Sequence, residues 1–453
     1  MNTAQKLSDY ALSISFKDIG EETRLEAKKR LIDSLGCAIG AFSESPVRVA
    51  RAVVESSHSG NASTILGVKT KTTPDMAAFV NGVMIRYYDY NDTYLSKEPA
   101  HPSDNISACL AVGEHEDASG KDLLAAMAVA YEVQCRFCDA ANIRHKGWDH
   151  VCYGLVSSSL AAGKLMGLQS KRLVHAVNIS LNAHIAMRQV RAGELSEWKG
   201  CSFANAARNA VFSTALAAQG MTGPSPIFEG EMGFFKQVSG PFELDLDGFG
   251  RRDKPFKLVD TYIKYFPAEY HAQSAIWAAL EVRKRVRSMD DVIAVQVDTH
   301  EAGYTILSKD KEKWAPSTKE TADHSLPYMV GMALLRGRID NGTYSDRNIR
   351  DPKVLDFLKK IKVREDKELT AMYPDHIANR ITLRMSDGST VSSQVDDPKG
   401  HPKNPMSKDE VEKKFRGLTS KFFEEAQARE ILDYVWNIEK RQVAPLLELC
   451  ALN

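Results

Sequence analysis

The densest chemistry in this sequence lies where acidic residues, tyrosines and a histidine crowd into two neighbouring runs. Tyr87-Tyr88-Asp89-Tyr90-Asn91-Asp92-Thr93-Tyr94 is followed closely by Ala100-His101-Pro102-Ser103-Asp104-Asn105. Two carboxylates and an imidazole on one helix-to-helix connection can form a general base with its orienting partner. The same spacing also suits a capped, solvated loop in which Ser103 or Asp104 starts the next helix. His150, in Gly147-Trp148-Asp149-His150, ends a second loop just before an apolar stretch. Taken alone it reads as a cap or a packing residue, and its interest depends on meeting His101. Cations suited to carboxylates follow. Arg188, Arg191 and Lys199 lie between two strongly helical segments, and Lys264 precedes Tyr265-Phe266-Pro267-Ala268-Glu269-Tyr270-His271. Arginine grips a carboxylate by a bidentate fork and lysine acts as a point charge. Taken singly, surface solubility accounts for each of the first three. Lys264 differs, because Phe266-Pro267-Ala268 fixes the chain beside it and starts a helix with Glu269 in its first turn.

Metal and cofactor chemistry find little support. Cys135-x-x-Cys138, with Cys109 and Cys152 nearby, could suggest an iron–sulfur cluster. Cys135 and Cys138 instead fall inside the helical pattern that begins at Leu123, which makes them small buried hydrophobes. No second Cys-x-x-Cys closes a zinc site. There is no phosphate-binding P-loop, no Gly-x-Gly-x-x-Gly after a strand and no G-x-S-x-G elbow. The expectation is an enzyme with no metal and no organic cofactor.

These residues must be positioned by two kinds of architecture. From the N-terminus to about Gln219 nearly every segment has a helical period. Leu25, Leu31, Ile32 and Leu35 fall on one face, and a helix opens at Asp75 after Pro74. Helices follow over Lys121–Arg136, Val151–Leu165, Lys171–Ala183 and Phe203–Ala218, rich in Ala, Gly and Ser that allow close approach. A long loop begins at Gly220, and then the period falls toward two. Strands are expected at Val292–Val297, Ile377–Met385 and Ser389–Val395, the last two joined at Asp387-Gly388. Helices are expected at Ser274–Val286, Ser325–Leu335, Pro352–Lys360, Lys408–Phe415 and Phe422–Trp436. The fold class is therefore mainly α with an α+β lid. The expected division is an all-helical domain over 1–260, the lid over 261–404, and C-terminal helices over 405–453 that pack back on the helical domain.

Bulk properties agree with an ordinary globular protein. A chain of 453 residues exceeds one common core, so two domains are the prior expectation. Lys+Arg and Asp+Glu both total 59, and this balance supplies no long-range field for nucleic acid or an anionic membrane. No signal or transit peptide and no apolar span of membrane length are legible. Seven scattered cysteines suit free thiols in a reducing compartment, with the cytoplasm as the expected location.

Taken together, the motifs resemble the MmgE/PrpD family, most nearly its 2-methylcitrate dehydratase branch. The resemblance rests on Asp89-Tyr-Asn-Asp92-Thr93 with His101-Pro-Ser-Asp104-Asn105, Asp149-His150, and Lys199 upstream of Ala206-Ala207-Arg208. It continues through Phe266-Pro-Ala-Glu269-Tyr-His271, Thr299-His300-Glu301-Ala302, Asp323-His324-Ser325, and Gly400-His401-Pro402 to Asn404-Pro405-Met406. The set runs in family order over nearly the whole chain; each motif alone is weak. The resemblance implies a helical domain with a smaller α+β lid, a homodimer, and catalysis without metal or cofactor. Its active-site positions fall on Asp89, Thr93, His101, His150, Lys199 and Lys264. The implied reaction is dehydration of 2-methylcitrate, with citrate a second candidate, by acid–base catalysis. Asp89, Asp92, His101 and His150 are then the catalytic candidates, with His101 as base oriented by Asp89 and His150 as acid, or the reverse. Thr93, Arg188, Lys199, Lys264, Glu269 and His271 are the substrate-binding candidates. Glu269 directly after Phe-Pro-Ala, where cis-aconitate decarboxylases of the family carry His, favours the dehydratase. A decarboxylase or epimerase on the same scaffold is the alternative. A non-catalytic helical scaffold would leave the His and Lys set unexplained.

Overall fold

The computed structural model describes residues 1–55, 63–193 and 195–452. Met1–Ala192, Glu197–Ile263 and Ser407–Asn453 form one unit, and Gly193–Ser196 with Lys264–Met406 the other.

The first unit is built from helices around a core rich in small residues. Its main members are Glu21–Gly40, Pro74–Arg86, Ile106–His115, Gly120–Ala140, Val151–Leu165, Ser170–Ala183 and Trp198–Ala218. Pro74 occupies the first turn of its helix, where its missing N–H costs nothing, behind the cap position Thr73. Close helix contact is set by glycine. A Cβ on Gly82 would lie 2.9 Å from the Cβ of Ala204, and one on Gly154 would lie 2.4 Å from the Phe203 ring. The Trp198–Ala218 helix therefore lies directly against both Pro74–Arg86 and Val151–Leu165. A short antiparallel ladder, β1 (Ser63–Thr64) with β2 (Lys71–Thr72), was not expected from the sequence.

Three departures from the helical pattern have simple causes. Leu25 is 43% exposed, because the buried face of its helix is led by Thr23 and Ala27 on the other side. The helix read from Phe203 starts at Trp198, where Glu197-Trp198-Lys199-Gly200 hides the period. Ser103 and Asp104 cap no helix. They lie in a 3₁₀ turn, Pro102–Asn105, and both accept hydrogen bonds from the Asn91 amide.

The C-terminal helices Lys408–Thr419 and Glu425–Trp436 belong to this first unit. Lys414 pairs with the buried Asp33 at 2.6 Å, donates to the Tyr90 carbonyl at 2.7 Å, and lies 3.7 Å over the Tyr90 ring. The end of the chain thus fixes the middle of the 87–94 loop. Arg30 holds the other side. It donates to the Thr261 hydroxyl and carbonyl at 2.9 and 2.7 Å, and the adjacent Tyr262 exchanges two backbone bonds with Thr93.

The second unit carries one mixed sheet of β3 (Val292–Thr299), β4 (Ile361–Glu365), β5 (Asn379–Met385) and β6 (Thr390–Val395), in spatial order β4-β3-β5-β6. β3 runs parallel to β4 and antiparallel to β5, and β5–β6 is a hairpin. Gly388 supplies the positive φ (86°) that its Asp-Gly turn needs. The helices Gln273–Lys284 and Leu326–Arg336 contribute Ala275, Ile276, Ala279, Met329 and Ala333 to a core shared with Val295, Val297, Ile381 and Leu383. β4 escaped the sequence reading because Ile361-Lys-Val-Arg-Glu365 is a charged edge strand with only two apolar residues. Among the described residues no helix is long and apolar enough to cross a membrane.

Candidate active site

The helical unit brings His101 and His150 together. Their ring centroids are 5.8 Å apart at an interplanar angle of 63°. His101 occupies the residue before the Pro102–Asn105 turn, and His150 the residue before the Val151–Leu165 helix. His150 is held by a paired segment, in which Asp149 donates its N–H to the Ala186 carbonyl at 2.9 Å and Trp148 faces Met187. The same segment carries Arg191, which grips the Asp149 carboxylate through Nε at 2.7 Å and a second nitrogen at 3.4 Å.

Both ring nitrogens of His101 are assigned by neighbours that have no choice of role. Nδ1 lies 2.8 Å from the Asp92 carbonyl oxygen, which can only accept, so Nδ1 carries the proton. Nε2 lies 2.9 Å from the guanidinium of Arg86, which can only donate, so Nε2 presents its lone pair. His101 is therefore a neutral imidazole with its basic nitrogen at Nε2.

Asp89 sits nearby with φ +51°, a left-handed conformation that a non-glycine residue holds only under constraint. Its carboxylate pairs with Arg86 at 2.8 Å and with Lys199 Nζ at 3.0 Å, and all three side chains are buried. The orienting contact expected from Asp89 to His101 comes instead from the Asp92 backbone. The Asp92 carboxylate is occupied elsewhere, accepting from the Ser103 N–H at 2.9 Å and the Tyr131 hydroxyl at 2.7 Å. Those bonds make Asp92 a strut of the loop. The Thr93 hydroxyl donates to the Ala100 carbonyl at 3.1 Å and closes the same turn.

Electrostatics separate the groups further. Burial pushes His150 down to about 3, helped by Arg191, Arg86 and Arg188 and opposed by Asp149. Its Nε2 is 3.7 Å from Asp149, too far for a hydrogen bond, and its buried Nδ1 has no partner among the described residues. Burial raises Asp104 to about 7 against the pull of Arg86, whose Nε is 3.8 Å away. Asp149 is kept below the usual carboxylate range: burial works against it, and Arg191 and His150 prevail. Arg188 is half-buried within the field of Asp149 and Glu98.

The α+β unit holds Lys264, Glu269 and His271. Lys264 is 1% exposed. Glu269 stands at the cap position of the Tyr270–Ala272 turn, one step earlier than expected. It accepts from the His271 N–H and from the His271 ring Nδ1, both at 2.8 Å. Burial alone would raise Glu269, yet the charges of His271, His324 and Lys264 bring it to about 2. The His271 ring lies 5.2 Å from His300, and His300 stacks on Tyr373 at 4.9 Å and 13°.

His300 provides a prediction for acid stability. Burial, with His271 adding to it, pushes His300 down to about 3. An unfolded histidine titrates near 6.5, so below that pH the unfolded chain binds a proton that the folded chain refuses. Stability therefore falls as the pH drops from about 6.5, by roughly 2–3 kcal/mol at about pH 4.5 from this residue alone. His300→Asn keeps a helix-capping side chain and removes that loss. Its melting temperature should decline less between neutrality and about pH 4.5 than that of the unaltered chain. Parallel curves would assign the acid sensitivity to other groups.

Sequence reasoning missed Arg86 and gave Arg191 no specific role. Arg86 is the last residue of an apolar helix and reads there as a favourable partner for the helix dipole. The available signal was its spacing, three residues before Asp89. Cys135 and Cys138 are buried in the Gly120–Ala140 helix, and burial raises both thiols well above their ordinary range.

Comparison with known proteins finds one family and three relatives. Residues 5–247 match the MmgE/PrpD N-terminal domain and residues 266–440 the MmgE/PrpD C-terminal domain. A 2-methylcitrate dehydratase of Cupriavidus necator is 31% identical over 83% of this chain and 81% of its own. One from Escherichia coli (strain K12) is 31% identical over 82% and 80%, and the alkylcitrate dehydratase phiI of a fungal species is 28% identical over 94% and 89%.

Proposed function

The chain belongs to the MmgE/PrpD family, and from that premise we propose that it is a hydro-lyase that dehydrates 2-methylcitrate to 2-methyl-cis-aconitate by acid–base catalysis. The observation that carries this reading is the tautomer of His101, a neutral imidazole whose Nε2 faces the buried Arg86 and whose ring lies 5.8 Å from that of His150.

Dehydration needs a base for the proton α to a carboxylate, positive charge for the carboxylate that receives electron density, and an acid for the departing hydroxyl. His101 Nε2 takes the proton. The C–H electron pair becomes the C=C bond, the C–O bond breaks, and the hydroxyl leaves as water with a second proton. Lys199 meets a substrate carboxylate, with Arg188 a second cation. His150 supplies the second proton. It is neutral in the free protein, and the negative charge of a bound tricarboxylate raises its proton affinity, so it becomes an acid only with substrate in place. Glu269 keeps the His271 ring fixed, and the pair completes the polar surround of Lys264.

The reading requires neither a metal nor an organic cofactor. Cys135 and Cys138 support it, because both lie buried inside the Gly120–Ala140 helix, where they pack as small hydrophobes. The partners it implies are a small tricarboxylate and a second copy of the chain in a homodimer.

A substrate panel tests the proposal. Chelated, dialysed enzyme should consume 2-methylcitrate fastest, with citrate second. Preference for cis-aconitate would favour a decarboxylase, and activity that returns only on adding iron would reverse the reading of the cysteines.

A further inference from the structure

Arg86 is buried (3% exposed) and anchored, and yet one of its nitrogens is spent on the nitrogen that His101 needs for proton abstraction. One arm of its guanidinium holds Asp89 at 2.8 Å, and Asp89 is held in turn by Lys199 at 3.0 Å. A second arm occupies the His101 Nε2 lone pair at 2.9 Å. The other ring nitrogen is committed to the Asp92 carbonyl. While both contacts stand, His101 has no lone pair with which to take a proton. The guanidinium fork matches a carboxylate better than it matches an imidazole. The Asp89 anchor lets the outer arm change acceptor without releasing the residue.

We propose that Arg86 is a positioning residue that masks the His101 base in the free enzyme and is drawn off it by a substrate carboxylate. The inference rests on the reading of His101 as the base. Its consequence is selectivity by charge, since the base is exposed only when a carboxylate occupies the outer arm of Arg86. A neutral analogue with an equally acidic C–H leaves the mask in place.

The test is a double-mutant cycle in the full chain, with circular dichroism as the check on folding. The cycle is run with 2-methylcitrate and with its neutral triamide. Arg86→Gln should raise KM for 2-methylcitrate about tenfold, the scale of one lost charge-assisted bond, and keep kcat within about threefold. On the triamide, where the mask otherwise stays in place, the same substitution should raise kcat/KM about tenfold. In a His101→Ala background that gain should vanish, because it runs through the imidazole, while the rise in KM for 2-methylcitrate persists. Arg86→Lys keeps the charge and one donor and should restore part of the discrimination. It also carries the cycle if the Gln variant does not fold. Unchanged discrimination between 2-methylcitrate and the triamide in the Arg86 variants overturns the inference, and so does an equal gain on the triamide with and without His101. Near-normal turnover by His101→Ala alone would instead remove the base assignment on which the inference stands.

Discussion

His101→Ala should lower turnover about 10²–10⁴-fold, the usual contribution of a positioned general base, while the helical unit stays folded. The size of the effect follows from how completely the ring is assigned. With Nδ1–H on the Asp92 carbonyl and Nε2 toward Arg86, the basic lone pair has one direction, and alanine leaves no group to replace it. The fold should tolerate the loss, because the loop is also tied by Asp92 to Ser103 and Tyr131, by Lys414 to Tyr90, and by the Thr93–Tyr262 pair. His150→Ala is expected on the same scale. If the two imidazoles serve one elimination, the double variant loses much less than the product of the single losses. Steady-state kinetics on the three variants checks this, and near-normal turnover in either single variant makes that histidine structural.

Lys199→Met is expected to lower kcat/KM about tenfold to a hundredfold, the value of one charge-assisted bond to a substrate carboxylate. Lys199 reaches Asp89 from the first turn of the Trp198–Ala218 helix, in a buried setting where screening by salt is weak. Methionine keeps much of the volume and removes the charge, so the loss reports electrostatics rather than a cavity. Asp89 retains Arg86 as a partner, which limits the cost in stability. A full loss of structure, or kinetics equal to those of the unaltered chain, would take Lys199 out of the binding set.

Much of the fold was legible because its period is strong. The Val151–Leu165 helix was read to the residue, and the β5–β6 hairpin was announced by Asp387-Gly388. The edge strand β4 was hidden by its own charges. In the site, residue types were legible and pairings were not. The approach of His101 to His150 depends on Gly82 meeting Ala204, Gly154 meeting Phe203, and the 147–149 segment pairing with 186–187, none of which leaves a local pattern. For the same reason the expected Asp89–His101 bond was misplaced. Spacing puts a carboxylate near the ring, but only packing reveals that Arg86 stands between them. The depressed proton affinity of His150 was also out of reach, since it comes from burial and from arginines far along the chain.

The most direct test of the account is the product formed from 2-methylcitrate by the unaltered enzyme after exhaustive chelation. Mass spectrometry with a trap for carbon dioxide should show a tricarboxylate lighter by one water and no gas released. The same product should be absent, on the same timescale, with His101→Ala. A product lacking a carboxylate, or water loss that survives the removal of His101, would contradict it.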